Sequence, residues 1–245
     1  FKGMGAGDFN FLEDPFQNFK TVLSNPSFKK AFSNTIHIWL FNFVPQIGLA
    51  LLLTAWFTDK RYHIRGEGLF KVLFYMPNII TAATIAILFN ALLGYPMGPV
   101  NDIFMRLGIS KEPINFLVDK SVARGTVEFI QFWMWYGYTM IILISGVMGI
   151  NPELFESAEV DGANRIQTFF YITIPNLKTI LLFTLVTSLI GGLQMFDIPK
   201  LFLMGGPDNA TLTTSVFIYN QAFSGSYMYN RAAAASMIDR KRVVS

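Results

Sequence analysis

Four long stretches almost without charge limit what this chain can fold into. Residues 34–57 and 72–93 contain no Lys, Arg, Asp or Glu, while 126–149 and 179–198 contain one acid each, close to an end. A helix needs about 20 mostly apolar residues to cross a bilayer, and each stretch meets that length. Because lipid cannot hydrogen-bond the backbone, we expect each stretch to form a membrane-spanning α-helix.

The composition agrees with a membrane protein. Only 14% of the residues are charged, whereas soluble domains carry about 25%. All 19 Lys and Arg residues lie outside the four stretches, and they form no single basic patch that would bind nucleic acid. The absence of cysteine excludes disulfides and cysteine-ligated metals. The two histidines, His37 and His63, lie in different segments, so the sequence predicts no metal site and no nucleic-acid partner.

The uncharged stretches predict one membrane domain with two flanks. We predict a polar and aromatic N-terminal segment over 1–33, a transmembrane domain over 34–238 and a basic tail over 239–245. A partial fifth span begins at residue 231, but its apolar run is too short to cross a bilayer. This predicts either truncation or missing residues before Asp239, and a first residue other than Met predicts a missing N-terminal segment.

The acidic segment, residues 150–178, breaks the apolar pattern. It contains "ELFESAEVDGANR", with four acids and one arginine. Placing these charges in hydrocarbon would cost on the order of 10 kcal/mol, so the segment should lie outside the bilayer. Two interpretations stay open: an interfacial helix that merely caps the bundle, or a docking element for a partner. Its acidic face argues against the first, because surface helices usually favour Lys and Arg.

The acidic segment is predicted to form two short helices joined at a glycine. Asn151 suits an N-cap and Pro152 suits the first helical position. Gly162 should interrupt this helix, and a second helix should extend over about 163–171 before Pro175 ends it. The small side chains near Gly162 would let another surface approach closely.

The same segment resembles the "EAA loop" of ABC-importer permeases, with the pattern E-A-A-x-x-D-G-A followed by I-x-L-P. The matching residues are Glu156, Ala158, Asp161, Gly162, Ala163, Ile172 and Pro175. Ser157 and Ile174 are mild departures from the pattern. Further stretches, including "YMPNIITAATIAILFNALL" and "GGLQMFDIPKLFLMGGPDNATLTTSVFIYNQAF", resemble carbohydrate-importer permeases of the maltose-transporter type.

The resemblance implies a fold and a function. The fold would be an all-α integral membrane protein, a polytopic helical bundle with a cytoplasmic two-helix coupling loop at 150–178 and with 1–33 outside the cytoplasm. The function would be that of a permease subunit in an ATP-driven importer. It would form the translocation path for a sugar or oligosaccharide in the cell membrane of a bacterium.

The resemblance also implies partners. These are a second, different permease chain that completes a heterodimer, two ATPase subunits, an extracellular solute-binding protein and the lipid bilayer. No G-x-x-x-x-G-K-[ST] P-loop occurs in this sequence. No cofactor is therefore expected in this chain, and ATP and magnesium would bind the ATPase.

Two sets of candidate site residues follow. By resemblance, Glu156 and Asp161 would supply polar contacts to the ATPase and Gly162 the bend. The full coupling set is Phe155, Glu156, Ala158, Asp161, Gly162, Ala163, Phe169, Ile172 and Pro175. Within it, the residues expected to fill a cleft on the ATPase are Phe155, Ala158 and Ala163. Sugars need hydrogen-bonding groups and flat aromatic faces, and the path candidates of these types in the spans are Asn42, Gln46, Asn78, Gln131, Trp133, Tyr136 and Gln194.

Structural roles and rival functions compete with these assignments. Trp133 could face lipid, and Asn78 could hydrogen-bond another helix beside a kink at Pro77. Glu128, near a span end, suits an interface position, and His37 suits a packed or hydrogen-bonded one. The rival functions are a permease for amino acids, peptides or ions and a non-transporting scaffold or receptor. An intramembrane enzyme is disfavoured, because few acids and one histidine lie in the spans.

Overall fold

The computed structural model describes residues 12–59, 65–224 and 227–244, with side chains through residue 239. His63 and the start of the 1–33 segment lie outside the described residues. Within these ranges the chain forms helices and no strand, which confirms the all-α prediction. The helices are α1 Gln17–Ser24, α2 Pro26–Thr58, α3 Glu67–Ile79, α4 Ala82–Leu92, α5 Pro99–Arg106, α6 Lys120–Met148, α7 Pro152–Val160, α8 Arg165–Thr168, α9 Ile174–Asn176, α10 Lys178–Leu193, α11 Asp197–Leu203, α12 Thr214–Phe223 and α13 Tyr229–Val244.

Three described segments are long and apolar enough to cross a membrane. They are α2, α6 and Lys178–Leu203, which comprises α10 and α11. α2 begins at Pro26, before the first uncharged stretch, and its helix continues through Pro45. α13 extends from Tyr229 to Val244 and so includes most of the predicted tail.

The second uncharged stretch does not form one helix, and that prediction is wrong. α3 and α4 meet at an angle of 94°. Ile80 and Thr81 have extended backbone between them, and the Thr81 hydroxyl caps α4 by accepting from the Thr84 N–H at 3.3 Å. Pro77 lacks the N–H that would bond the preceding turn, which weakens the helix just before the break.

The described residues group into two compact units. Unit 1 comprises the described parts of 1–41, 81–130 and 190–245, and unit 2 comprises those of 42–80 and 131–189. α2 and α6 each contribute one part to each unit, because the divisions at residues 41 and 130 fall inside these helices.

The core of unit 1 joins helices that are far apart in sequence. Phe28 of α2 packs edge-on against Phe217 of α12, with ring centroids 5.5 Å apart. Val22 of α1 and Ala235 of α13 belong to the same buried cluster. This apolar cluster brings α1 and α13, the first and last of the described helices, into one core with α12.

The connection between α11 and α12 is fastened by polar contacts within unit 1. The Asn34 amide donates to the carbonyl oxygens of Asn209 (2.7 Å) and Leu212 (3.1 Å). Lys120 Nζ lies 2.6 Å from a carboxylate oxygen of Asp208. The hydrogen bond from Lys120 holds the pKa of the Asp208 carboxyl below its ordinary value. The loop is therefore attached to the beginnings of α2 and α6.

The core of unit 2 is an apolar cluster shared by two helices and one turn. Ala50 and Phe57 of α2 pack with Met140 and Leu143 of α6 and with Leu177, which precedes α10. Met140, Leu143 and Leu177 are fully buried. Burial of such side chains stabilises a fold by about 1.5–3 kcal/mol each in water, although lipid reduces that gain.

Gly137 lets α6 contact the backbone of α3 in unit 2. A Cβ at this position would lie 2.7 Å from the carbonyl carbon of Phe74 and 2.9 Å from the Cα of Tyr75. Both distances are shorter than van der Waals contact, and both neighbours are backbone atoms. Small residues permit this kind of close approach between membrane helices.

Candidate functional site

The first helix of the acidic segment begins as predicted. The Asn151 side chain accepts a hydrogen bond from the Glu153 N–H at 3.1 Å, and Pro152 occupies the first turn of α7. Glu153 lies at the N-terminal end, where the helix dipole favours an anion. All three residues are exposed. The start of α7 is therefore a polar, capped helix end.

Gly162 interrupts the helix, which confirms the predicted joint. Its φ of 76° lies in the left-handed region, which L side chains adopt at a cost of about 1–2 kcal/mol. The Gly162 N–H donates to the Glu159 carbonyl at 3.1 Å, and the Ala163 N–H donates to the Ala158 carbonyl at 2.9 Å. These paired bonds are a Schellman motif, which satisfies the end of α7 and turns the chain.

The second helix is shorter than the predicted 163–171. α8 is Arg165–Thr168, and it begins after Asn164, which forms a capping box with Gln167. The cap holds Asn164 in extended backbone, so the helix cannot begin at residue 163. Phe169–Thr173 then form a π-helical turn.

Pro175 does not end the helical run, contrary to prediction. It lies in α9, and α10 follows at Lys178. The Ile174 N–H donates to the Phe169 carbonyl, five residues earlier. A proline ring would clash with the carbonyl four residues before it in a regular α-helix. The wider π turn accommodates the ring and lets the helical direction continue.

The predicted coupling residues divide into groups by exposure. Exposed are Glu156, Asp161, Gly162 and Pro175, half-buried are Phe155, Ala163, Phe169 and Ile172, and buried is Ala158. Phe155 packs against the apolar cluster of unit 2, and Ala158 is only 8% exposed. Phe155 therefore attaches α7 to its own unit, and the filling of a partner's cleft by this set of residues stays a prediction.

Apolar side chains that the sequence analysis did not single out are exposed beside the acids. Val160 is 88% exposed, Ile166 70% and Tyr171 80%. Large apolar side chains exposed in a charged segment suit a surface that a partner or a membrane covers. Their position in the sequence could have identified them, since Val160 directly precedes Asp161 and Ile166 directly follows Arg165.

Six of the seven path candidates lie in unit 2. Buried are Asn42, Gln46, Gln131 and Tyr136, and half-buried are Asn78 and Trp133. Gln46 Nε2 donates to Thr139 Oγ1 at 2.7 Å, and Asn78 Nδ2 donates to the Met134 carbonyl at 3.3 Å. These two amides join neighbouring helices, which supports the packing alternative for Asn78 and gives Gln46 a similar role.

Gln194 lies within the third candidate span, Lys178–Leu203, but just past the last residue of α10. α10 ends at Leu193, and Gln194 is exposed in the turn that follows, in unit 1. Gly191 and Gly192 immediately precede this end. Glycine is about 1 kcal/mol less favourable than alanine in a helix, which makes termination here inexpensive.

Glu128 and His37 pair with each other in unit 1. The Glu128 Oε1 lies 2.9 Å from His37 Nδ1, and the His37 ring stacks on Phe41 with centroids 4.3 Å apart. The hydrogen-bonded role predicted for His37 is confirmed, and Glu128 joins α6 to α2. Within the described residues, no group of three or more His, Cys, Asp or Glu side chains could hold a metal ion.

Residues 23–238 match the family of binding-protein-dependent transport system inner membrane components. The chain belongs to this family. The matched range contains α2 to α12 and the whole acidic segment. The chain is therefore a multi-pass permease of the cell membrane and a transporter component rather than an enzyme, as the resemblance implied.

Related permeases serve sugar transport systems. The permease is 33% identical over 223 residues to the lactose transport system permease protein LacF of Rhizobium radiobacter, covering 90% of this chain and 74% of that protein. It is 29% identical over 215 residues to the arabinooligosaccharides transport system permease protein AraP of Bacillus subtilis, covering 87% of this chain and 67% of that protein. These relatives confirm the resemblance to carbohydrate-importer permeases.

Solved structures share the fold of the permease. A crystal structure of a bacterial ABC transporter involved in the import of the acidic polysaccharide alginate matches with a TM-score of 0.84 at 24% identity, covering 94% of this chain and 80% of that chain. A second, of the bacterial alginate transporter with an alginate pentasaccharide-bound periplasmic protein, matches with a TM-score of 0.84 at 25% identity, covering 94% and 79%. The helical architecture is that of an ABC-importer membrane subunit.

Proposed function

We propose that this permease forms the membrane passage for a sugar or oligosaccharide that an extracellular binding protein delivers. The sugar transport systems of its relatives support the substrate class, and the alginate transporter in complex with its periplasmic protein supports the mode of delivery. The permease would pair with a second, different permease chain. Two ATPase subunits would bind ATP and magnesium, since this sequence contains no P-loop.

The geometry of the acidic segment carries the proposal. Two short helices meet at the fixed Gly162 joint, and the acids Glu156 and Asp161 are exposed beside it. Phe155 attaches the same helix to the core of unit 2. A charged element that is exposed on one side and packed on the other can bind an ATPase and transmit its movement to the spans. Transport then follows from a two-state rearrangement biased by sugar and ATP.

The sugar contacts are proposed to lie in unit 2. Asn42 and Gln131 offer amides that can hydrogen-bond hydroxyl groups, while Trp133 and Tyr136 offer aromatic faces on which sugar rings stack. Gln46 and Asn78 each donate to a neighbouring helix, and we assign them to joining helices. The passage would then combine amides and aromatic rings in one unit.

Reversing the charge of Glu156 should separate the permease from its ATPase. Glu156→Lys places a cation on the exposed face of α7, and breaking a charged contact across an interface costs about 2–5 kcal/mol, which is tenfold or more in affinity. We expect ATPase co-purification to fall at least tenfold and binding-protein-dependent uptake into lipid vesicles to be lost. The permease itself should keep its melting temperature, because Glu156 is exposed.

Glu112→Lys is the matched control, since Glu112 is an exposed acid outside the acidic segment. It should leave co-purification and uptake unchanged. Normal association and uptake in Glu156→Lys would refute the proposed coupling. The substrate class is tested separately by measuring ATPase stimulation of the assembled complex with a panel of oligosaccharides, amino acids and peptides. Stimulation by amino acids or peptides alone would refute the sugar assignment.

A further inference from the structure

An ion pair connects the end of α2 with the start of α8 in unit 2. Arg165 Nε lies 3.2 Å from Asp59 Oδ2. The Asp59 side chain is only 20% exposed, while that of Arg165 is 49% exposed. A partly shielded carboxylate is screened less by salt than one at a fully exposed surface. The contact therefore differs from an ordinary surface ion pair.

Each charge lies at the unfavourable end of its own helix. Asp59 directly follows Thr58, the last residue of α2, where the carbonyl groups carry partial negative charge. Arg165 is the first residue of α8, where the N–H groups carry partial positive charge. Neither charge is explained by stabilisation of its own helix. Across the contact, however, each meets the opposite sign, so the pair suits a connection between the two elements.

The ion pair is a second attachment of the acidic segment to unit 2. The first is apolar, since Phe155 of α7 packs on a cluster that contains Phe57, near the end of α2. The two attachments lie on opposite sides of the Gly162 joint. The ion pair holds α8 to the end of α2, while α7 is held to a cluster that α2 helps to form.

We propose that the Asp59–Arg165 ion pair is the tie through which movement of the acidic segment reaches α2. The inference rests on the proposed coupling function of that segment. The part of α2 in unit 2 also carries Asn42 and Gln46. A force on α8 is therefore transmitted to the helix that holds one proposed sugar contact and one amide that joins α2 to α6. Arg165 and Asp59 are positioning residues, and neither needs to touch sugar or ATP.

Neutralising either partner should uncouple ATP hydrolysis from uptake without dissociating the complex. In the complete transporter reconstituted in vesicles, Arg165→Gln and Asp59→Asn should each keep ATPase co-purification and basal hydrolysis within about twofold. The binding protein, loaded with the oligosaccharide that is most active in the panel, should stimulate ATP hydrolysis about tenfold less than in the wild type. Uptake of that oligosaccharide should also fall about tenfold. The double variant Asp59→Arg with Arg165→Asp exchanges the two charges. It should restore at least a third of the wild-type stimulation of ATP hydrolysis and at least a third of the wild-type uptake.

Lys178→Gln is the matched control: it removes an exposed cation at the start of α10 that forms no ion pair among the described residues, and it should have no effect. Wild-type stimulation and uptake in both single variants would overturn the tie. A charge exchange as defective as the single variants, with normal assembly, would also overturn it. Glu156→Lys in the same assay separates the two hypotheses. If Glu156→Lys does not reduce ATPase association, the coupling function itself is refuted. If Glu156→Lys reduces association but Arg165→Gln keeps wild-type stimulation and uptake, only the tie is refuted.

Discussion

Replacing Gly162 with proline should abolish sugar-stimulated transport while the membrane helices remain folded. Proline requires a φ near −65°, whereas Gly162 has a φ of 76° and its N–H donates to the Glu159 carbonyl. The substitution removes that hydrogen bond and forces the joint into another conformation, at a cost of about 3 kcal/mol or more. α8 should then leave its position relative to α7. We expect uptake into vesicles to fall at least a hundredfold, together with ATPase association.

Gly162→Asn is the control that isolates the backbone effect. No heavy atom lies within 4 Å of a Cβ built at this position, so the larger side chain meets open space. Asparagine also tolerates the left-handed conformation better than other side chains. This variant should keep most of the uptake. Equal activity of Gly162→Pro and the wild type would mean that the conformation of the joint has no part in transport.

Gly137→Ala should destabilise the folded protein strongly, although it adds only one methyl group. The new Cβ would lie 2.7 Å from the carbonyl carbon of Phe74 and 2.9 Å from the Cα of Tyr75. Backbone atoms cannot rotate away as a side chain can, so α6 and α3 must separate. Overpacking typically costs about 1–3 kcal/mol, and a backbone contact belongs at the upper end. We expect a lower yield of detergent-solubilised protein, a lower melting temperature and at least tenfold less uptake.

The same substitution in the same helix provides the comparison. Gly125 also lies in α6, and a Cβ there meets no heavy atom within 4 Å. Alanine favours helix over glycine by about 1 kcal/mol, so Gly125→Ala should be neutral or slightly stabilising. A melting temperature for Gly137→Ala as high as that of Gly125→Ala would contradict the close contact between α3 and α6.

Local signals in the sequence predicted the local structure of the acidic segment well. The Asn151 cap, the Pro152 start and the Gly162 joint depend on residues next to one another, and all three are confirmed. The end at Pro175 was wrong, because the π turn that accommodates this proline has no marker in the neighbouring residues. The role of the segment in coupling stays a prediction that the variants of Glu156 test.

In the spans, too, some features were predictable from the sequence and others were not. Length and apolarity predicted helical membrane segments, yet the 94° bend between α3 and α4 depends on a threonine cap that competes with a continuous helix. Gln194 was placed inside a helix because the apolar run continues past it, whereas the helix ends one residue earlier. Apolarity records which residues avoid water. It does not record where the backbone bends.

By itself, the sequence determined the membrane class and the glycine joint in the acidic segment, and it predicts that this segment lies outside the bilayer. Each follows from the solvation free energy of a short run of residues or from the backbone freedom of one residue. The tertiary structure alone decided that Phe155 faces its own unit, that Gly137 contacts α3 and that Arg165 reaches Asp59. Such contacts join residues far apart in the chain, and they arise from how the helices pack together.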